Sequence, residues 1–319
     1  MNIKYFYRVS GLLILLLGIL GVSPHVTFSQ GYHEAPMLAA RVANGDLPPI
    51  EERLPQIPLI VEPFDEIGTY GGELRYAGTY ADVTTFIAWE FLTHWKPDMS
   101  GVYANILESY EVNEDASLYT FHLREGMRWS DGVPFTADDI VFAMNDIYLN
   151  PEVRGQAPAN LVVNGEPVVV TKIDDYTVTF QFAGSYGLFP EFLAWWPSWQ
   201  PIFFPKHWLS QYHMDYNPEN VQAIMASLNS YPELANANIQ SWVDMFNIYA
   251  LTSPWAFVQY PHQMSRPTLF AWVMKELDLQ AGTLILERNP YYWKVDSAGN
   301  QLPYIDTITL TNFDQNDDI

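Results

Sequence analysis

The segment ESYEVNEDASLYTFHLREGMRWSDGVPFTADDIVFAMNDIY, residues 108–148, decides the fold of this chain. In its first half, Tyr119, Phe121 and Leu123 alternate with polar residues. Alternation with a period of two is typical of a strand that buries one face. This part of the segment therefore predicts a half-buried strand that leads into a turn.

The rest of the segment predicts a turn followed by a capped helix. Ser130, Asp131 and Gly132 are turn residues, and glycine adopts positive φ without a steric penalty. Thr136 is placed to cap a helix whose third residue is Asp139, a capping box in which aspartate replaces glutamate. The helix has an apolar stripe of Ile140, Val141, Met144 and Ile147, with Phe142 beside it. These local signals agree with one another, so we expect a rigid strand–turn–helix unit.

The same segment resembles the signature of the oligopeptide- and dipeptide-binding family of extracellular solute-binding proteins. The matching motifs are TFHLREG at Thr120–Gly126, WSDG at Trp129–Gly132 and TADD at Thr136–Asp139. Further matches are LERNPYYW at Leu286–Trp293, GNQLPYID at Gly299–Asp306 and the lead-in at Glu34–Pro55. The resemblance extends from about residue 34 to residue 319, with long motifs in a fixed order.

The resemblance implies a mixed α/β fold built from periplasmic-binding-protein-like lobes of type II, cluster C. Residues 67–88 and 185–319 would form the first lobe, and residues 89–184 a second lobe inserted into it. Relatives have a third lobe that supplies much of the cleft wall. It has no counterpart here, so we expect the first lobe and the cleft to be incomplete. Solute would be trapped between lobes that close by hinge bending.

The resemblance also separates structural residues from candidates for ligand contact. The expected structural residues are Arg124, Trp129, Asp131, Gly132, Thr136, Asp139, Asn289 and Pro290. Within this set, Arg124 and Asp131 lie near one turn, and we expect them to pair. Ligand contacts are expected from the loop after the first strand and from segments near the lobe crossings. The candidates are Thr79, Tyr80, Trp195, Trp196, Trp199 and Trp255.

Packing is the alternative role for each of these candidates. Trp255 is included because SPWAF, residues 253–257, matches the loop that precedes the returning strand in relatives. Aromatic residues make up 15% of the chain, and an aromatic-lined cleft suits peptides or sugars. Relatives also bind oligosaccharides, nickel complexes and haem, so the resemblance does not fix the solute. It implies no cofactor.

The N-terminus has the pattern of an export signal. Lys4 and Arg8 precede a continuous apolar run, residues 11–22, and small polar residues follow it. The run is shorter than the roughly 20 residues that span a bilayer, so we expect cleavage after Ser29, with an uncleaved anchor as the alternative. The chain contains no cysteine for a lipid anchor. We therefore expect a periplasmic or extracellular protein that is not a lipoprotein and not inserted in the membrane after cleavage.

Composition limits the partners of the exported chain. It has 37 acidic residues against 15 lysines and arginines, and a surface of that sign repels nucleic acid and anionic headgroups. The absence of cysteine means that the fold relies on its core and not on disulfides. Residues 30–66 include a proline-rich stretch, which predicts an extended, exposed arm laid over a domain.

Periodicity and turn signals predict further elements along the chain. The predicted strands are residues 73–77, 107–112, 119–123, 168–173, 176–182, 283–287 and 304–311, with a hairpin turn at Asp174-Asp175. The predicted helices are residues 35–43, 82–95, 188–196 and 242–249.

Enzymatic readings have little support in the sequence. A glycoside hydrolase would need two carboxylates across a sugar cleft, but Asp138 and Asp139 are explained by helix capping. There is no G-x-S-x-G elbow and no H-E-x-x-H, and His207 and His213 are spaced poorly for a zinc site. The acidic end, residues 314–318, begins like a calcium loop but lacks its glycine and distal glutamate.

We therefore expect a solute-binding subunit of an ABC importer that works as a monomer and is not an enzyme. It would capture peptides or similar small solutes and deliver them to a membrane permease. A secreted non-transport sensor on the same fold is one alternative. The other is a fragment without activity.

Overall fold

The computed structural model describes residues 31–83, 89–195, 200–231, 234–235, 237–250 and 260–313. Its helices are α1 (Pro36–Ala43), α2 (Ile50–Arg53), α3 (Ala137–Val141), α4 (Pro151–Arg154), α5 (Phe189–Leu193), α6 (Lys206–Leu209), α7 (Pro218–Ala226) and α8 (Trp242–Tyr249). Its strands are β1 (Leu59–Val61), β2 (Glu73–Gly78), β3 (Thr93–Trp95), β4 (Val102–Ala104), β5 (Leu107–Val112), β6 (Leu118–Leu123), β7 (Val162–Val163), β8 (Glu166–Pro167), β9 (Val169–Asp174), β10 (Thr177–Gln181), β11 (Trp272–Asp278), β12 (Thr283–Arg288), β13 (Lys294–Asp296) and β14 (Thr307–Asn312).

Sheet A consists of four antiparallel strands in the order β5-β6-β10-β9. The half-buried strand predicted around Tyr119 is its second strand, and Tyr119, Phe121 and Leu123 are all buried. The hairpin predicted at Asp174-Asp175 joins β9 to β10. Phe189 of α5 covers this face, with its ring centroid 5.3 Å from that of Tyr119 and 5.9 Å from that of Phe121.

Sheet B joins chain segments that are far apart in sequence. Its order is β11-β12-β14-β2, with β11, β12 and β14 antiparallel and β14 parallel to β2. Alternate residues of β12 and β14 are buried, among them Leu284, Leu286, Ile308 and Leu310. A strand that begins at Glu73 is thus paired with a strand that begins at Thr307, and all of sheet A lies between them in the sequence.

Helix α3 begins as the sequence predicts. The Asp139 carboxylate accepts from the Thr136 N–H at 3.0 Å, and the Thr136 hydroxyl accepts from the Asp138 N–H at 3.3 Å. After Val141 the helix continues with wider, π-type hydrogen bonding over Phe142–Tyr148. The predicted apolar stripe is buried at Ile140, Met144 and Ile147, and α3 packs on β9 and β10.

The lead-in, residues 31–66, packs against residues 290–301 but is less extended than predicted. It includes α1 and the short helix α2, which fits between Pro49 and Pro55 because proline is tolerated where a helix begins. The Arg53 side chain at the end of α2 is fully buried. It donates to Glu34, to the Pro290 carbonyl and to Gln301 Oε1. The segment that was predicted to be an exposed arm is therefore held in place by the buried Arg53 side chain.

The helix predicted over residues 82–95 is wrong for residues 89–95; residues 84–88 lie outside the described part. Thr93–Trp95 form β3, which pairs with β4. The backbone carbonyls of Phe91 and Leu92 accept from the N–H groups of Ile106 and Leu107 instead of from a helical turn. Phe91 and Leu92 are both buried. Adjacent side chains of an extended chain point to opposite sides, so both sides of the chain are covered here.

Within the described ranges, no helix combines the length and apolar character needed to span a bilayer. The predicted helices at residues 35–43 and 242–249 correspond to α1 and α8, and α5 covers the middle of the helix predicted at 188–196. The strands predicted at 283–287 and 304–311 correspond to β12 and β14.

Candidate functional site

The first candidates, Thr79 and Tyr80, directly follow β2 at the edge of sheet B. The Thr79 N–H and hydroxyl both donate to Asp82 Oδ2, at 2.7 and 3.1 Å. The Tyr80 N–H donates to Asn312 Oδ1 at 3.0 Å, which ties this turn to the end of β14. Burial, and then the charge of Asp278, raise the pKa of Tyr80. The turn after β2 is thus fixed by hydrogen bonds within it and by one to Asn312.

Of the four tryptophan candidates, the described part of the chain includes Trp195 alone. It follows α5, and 66% of its surface is exposed. An exposed indole of this size offers a flat apolar face to a ligand. Trp196, Trp199 and Trp255 lie outside the described residues.

A cavity of about 230 Å³ lies between the WSDG turn and the segment that leads into β11. Its walls combine polar and aromatic side chains, and they are Ser130, Asp131, Ile202, Phe203, Gln263, Met264, Ser265, Arg266, Pro267, Thr268, Phe270, Trp272, Val273 and Met274. Asp131 and Ser265 are exposed, so this side of the cavity reaches the surface. Burial lowers the pKa of Arg266 to about 10.

One cavity wall is the loop Pro267–Ala271, and the WSDG turn holds it from one side. The Ser130 N–H donates to the Thr268 carbonyl at 2.9 Å, and the Thr268 N–H donates back to Ser130 Oγ at 3.0 Å. This reciprocal pair fixes the loop against the turn that precedes α3.

The NPYYW motif holds the same loop from the other side. Asn289 Nδ2 donates to the Phe270 carbonyl at 2.8 Å, and the Asn289 N–H donates to the Ala271 carbonyl at 2.8 Å. Trp293 Nε1 donates to the Leu269 carbonyl at 3.1 Å. Two motifs that are 150 residues or more apart therefore converge on one loop.

Sequence reasoning missed this loop. The strand that returns to sheet B begins at Trp272, and the loop directly before it is Pro267–Ala271. The SPWAF segment from which Trp255 was chosen lies outside the described residues. The available signal was RPTLFAWV, residues 266–273, in which a proline precedes an apolar run.

The pair expected between Arg124 and Asp131 is not formed. Arg124 is buried and donates to the carbonyls of Asn105 at 3.0 Å and Ile57 at 2.9 Å, with its guanidinium 5.5 Å from the centre of the Trp293 ring. The Arg124 guanidinium is thus bound by backbone carbonyls and not by the Asp131 carboxylate. Asp131 instead lies 2.7 Å from His207 Nε2.

The Asp131 carboxylate is stabilised where it lies. Burial tends to raise its pKa, but hydrogen bonds from His207 and from the Val133 N–H outweigh burial and lower it. The other motif residues are packed: Trp129 is fully buried against Phe135, and the Pro290 carbonyl accepts from Arg53.

Two residues of the cavity wall each have a buried polar atom without a hydrogen-bond partner in the described part of the chain. The atoms are Gln263 Oε1 and Trp272 Nε1. Gln263 is 3% exposed, and its Nε2 donates to the carbonyls of Ile248 at 2.7 Å and Tyr249 at 3.0 Å. The side chain is thus held in place while its carbonyl oxygen, a strong acceptor, is left over.

Sequence comparison connects the chain to extracellular solute-binding proteins. A family model described as bacterial extracellular solute-binding proteins, family 5 Middle, matches residues 101–262. The periplasmic alpha-galactoside-binding protein of Rhizobium meliloti (strain 1021) is 30% identical over 295 residues, which are 84% of this chain and 37% of that protein. The dipeptide-binding protein of Escherichia coli (strain K12) is 32% identical over 124 residues, or 35% of this chain and 23% of that protein.

Comparison with solved structures also finds solute-binding proteins. An oligopeptide-binding protein OppA superposes with a TM-score of 0.74 and 35% identity, over 89% of this chain and 42% of that chain. The periplasmic binding protein MelB of Agrobacterium fabrum C58, in complex with stachyose, superposes with a TM-score of 0.68 and 27% identity, over 89% and 41%. The predicted mixed α/β, periplasmic-binding-protein-like fold is confirmed. The chain spans about two fifths of the length of these relatives.

Proposed function

The chain belongs to the bacterial extracellular solute-binding proteins of family 5, and from this premise we propose that it serves an ABC importer as its solute-capturing component. The observation that carries the proposal is the agreement of sequence and fold with transport receptors over most of this chain. The relatives are solute-binding proteins, and the chain is not an enzyme. The partner is a membrane permease, and the site of action is the periplasm or the cell exterior.

The division into lobes is part of this proposal. Residues 67–88 and 185–319 form one lobe around sheet B, and residues 89–184 form an inserted lobe around sheet A. The strand order supports it, because β2 pairs with β14 while β5, β6, β9 and β10 pair among themselves. Candidate solute contacts are Thr79, Tyr80, Trp195, Trp196, Trp199 and Trp255.

We propose an α-galactoside oligosaccharide as the solute. The relative that aligns with 84% of the chain binds alpha-galactosides, and the MelB structure contains stachyose. Exposed and cavity-lining aromatic rings such as Trp195, Phe270 and Trp272 suit the apolar faces of sugars. A peptide is the second candidate, favoured by the superposition with OppA.

Thermal unfolding of the full-length gene product tests both candidates. Stachyose or raffinose at about 100 times its Kd should stabilise the folded state by about 2.7 kcal/mol and raise Tm by several degrees. Lactose, a β-galactoside of similar chemistry, is the matched control and should leave Tm unchanged. A rise with a peptide pool alone would assign the protein to peptides, and no rise with either class would remove the receptor function.

Transport itself requires a separate measurement, because a secreted sensor on this fold would also bind its solute. Deletion of the gene should abolish uptake of labelled raffinose by intact cells, and uptake should return on complementation. Unchanged uptake despite tight binding would favour the sensor function.

A further inference from the structure

Exposed apolar side chains are concentrated in the segment that contains β1 and the start of the loop after it. Of the 15 large apolar side chains that are exposed in the described part of the chain, four lie between residues 57 and 67. They are Ile57, Val61, Phe64 and Ile67. The relative exposure of Phe64 is 101%, so no neighbour in the described chain covers its side chain. Single exposed apolar residues are ordinary, but a cluster with a polar rim marks a surface for interaction.

A surface groove of about 360 Å³ lies beside Phe64. Val61 and Phe64 contribute to its walls from one segment, and Leu302 and Tyr304 contribute from another. An exposed ring next to an open apolar groove gives a partner both an anchor to bury and a pocket to fill. Buried aromatic anchors and the pockets that receive them carry most of the binding energy at protein interfaces.

The loop that presents Phe64 is fixed at both ends. Before it, β1 pairs in parallel with β13. After it, the Gly71 N–H donates to the Tyr304 carbonyl at 3.0 Å, and any side chain at Gly68 would collide with the Tyr304 ring. A loop that is held in this way loses little entropy when a partner binds.

The charge around Phe64 is negative. Glu62, Asp65 and Glu66 are exposed, and none of them forms an ion pair with another residue that the structure describes. The sequence has no lysine or arginine from residue 54 to residue 74. A surface of this sign repels anionic headgroups and a second copy of the acidic chain. Its complement is a protein surface that combines lysine or arginine with an apolar socket.

We propose that residues 61–67 are a docking surface for the membrane permease, with the Phe64 ring as the anchor and the carboxylates of Glu62, Asp65 and Glu66 as the rim. The partner site on the permease is a basic exterior segment with an apolar socket. The assignment rests on the importer function proposed above, which requires a contact between this chain and a permease. A charged rim speeds encounter, and a buried anchor slows dissociation.

Photo-cross-linking in intact cells tests the partner directly. The full-length protein carries p-benzoylphenylalanine in place of Phe64, and we expect an adduct with a permease subunit, identified by mass spectrometry. The same amino acid in place of Val169, which is 60% exposed in sheet A, is the control and should give no such adduct. An adduct from position 64 with a second copy, or with another part of the same chain, would overturn the proposal.

A pair of double variants separates docking from solute capture. Phe64→Ser/Asp65→Lys should reduce uptake of labelled raffinose by the complemented deletion strain at least tenfold. Stachyose affinity in titration calorimetry and Tm should stay close to those of the wild type, because both altered side chains are exposed. Val169→Ser/Glu166→Lys makes matched changes at exposed positions of β9 and β8 and should leave uptake unchanged.

The outcomes distinguish the docking surface from the function on which it rests. Normal uptake with Phe64→Ser/Asp65→Lys, or an equal loss in both double variants, would overturn the docking surface and leave the importer function intact. If the wild-type gene supports no raffinose uptake, the proposed solute fails, and an adduct between position 64 and a permease would still support the surface. The cross-link also decides the matter if Phe64→Ser/Asp65→Lys fails to fold.

Discussion

Gly132 in the WSDG turn is constrained twice. Its φ of +90° lies in the region that favours glycine, and a Cβ there would lie 2.7 Å from the Tyr291 hydroxyl oxygen and 2.9 Å from its Cζ. The first constraint acts on the backbone alone. The second arises because the NPYYW motif packs directly on the turn.

Substitution of Gly132 by alanine should therefore destabilise the protein more than backbone strain alone does. Gly45 is the matched control, since its φ is +79° and a Cβ there would meet nothing within 4 Å. In urea unfolding, Gly45→Ala should cost about 1 kcal/mol and Gly132→Ala about 3 kcal/mol. Equal losses would mean that Tyr291 moves away without cost.

The sequence predicted the backbone requirement at Gly132 but not the neighbour that crowds it. The residue types of a turn indicate its local φ angles, but they say nothing about Tyr291, which comes from a segment about 160 residues later. The expected pair of Arg124 and Asp131 failed for the same reason. The two residues are close in sequence, which suggested the pair, but the Arg124 guanidinium donates to the carbonyls of Ile57 and Asn105 instead. Buried polar partners are chosen by tertiary packing, which local patterns do not encode.

At the scale of the element, α3 shows which features a local pattern can predict. Thr136 and Asp139 form the predicted capping box, because both partners lie within four residues. The other Asp139 oxygen accepts from the Lys206 N–H at 2.9 Å, a long-range contact that the motif did not reveal. Burial raises the pKa of Asp139, although its hydrogen bonds with Thr136 and Lys206 oppose that shift.

The raised pKa of Asp139 gives a pH-dependent prediction for Asp139→Asn. An amide offers one acceptor oxygen where the carboxylate offers two, so the variant should lose about 1–2 kcal/mol of unfolding free energy at pH 7. A folded-state pKa above the ordinary value of 3.8 means that wild-type stability falls as pH rises through that window. Asparagine does not titrate, so the deficit of the variant should shrink between about pH 4 and pH 7.

Urea unfolding across this pH range measures the deficit. Asp138→Asn removes the same charge from a neighbouring carboxylate that is 47% exposed, and it controls for the change in net charge. A deficit that grows with pH would show that the hydrogen bonds, and not burial, determine the direction of the pKa shift of Asp139.

The helix predicted at residues 82–95, which is wrong for residues 89–95, marks the limit of periodicity. Its apolar residues are spaced partly as a helix requires, but Thr93–Trp95 pair with Val102–Ala104, and the Thr93 hydroxyl donates to the Pro190 carbonyl at 2.6 Å. These contacts outweigh a weak local preference. Strands whose partners are adjacent, such as β9 and β10, were predicted correctly.

At the scale of the whole molecule, pairing between distant segments was accessible only through the resemblance to a family. Nothing local in residues 73–78 indicates that they pair with Thr307–Asn312. The cavity was not predicted either, because it is formed where the WSDG turn meets residues 263–274. The helix cap, by contrast, could be predicted from local chemistry alone. The export signal at residues 1–29 lies outside the described residues and stays a prediction.

A buried ionic network joins the segment that leads into sheet A to the segment between β12 and β14. The Glu90 carboxylate accepts from Lys294 at 2.8 Å, from Asn105 Nδ2 at 2.8 Å and from the Tyr292 hydroxyl. The side chains of Glu90 and Lys294 are each 12% exposed. Because water scarcely reaches the pair, removal of one partner leaves an uncompensated buried charge.

Lys294→Met should accordingly cost about 3 kcal/mol of unfolding free energy, since the Glu90 carboxylate is left without its cation. Adding Glu90→Gln should recover part of that loss, because a neutral amide tolerates the same surroundings. Lys275→Met is the control: Lys275 is 63% exposed, pairs with Glu287 at 3.1 Å and should contribute less than about 0.5 kcal/mol. Urea unfolding of the wild type, Lys294→Met, Glu90→Gln and the double variant gives the coupling energy between Lys294 and Glu90. A loss in Lys294→Met no larger than in Lys275→Met would mean that apolar packing alone joins the two segments.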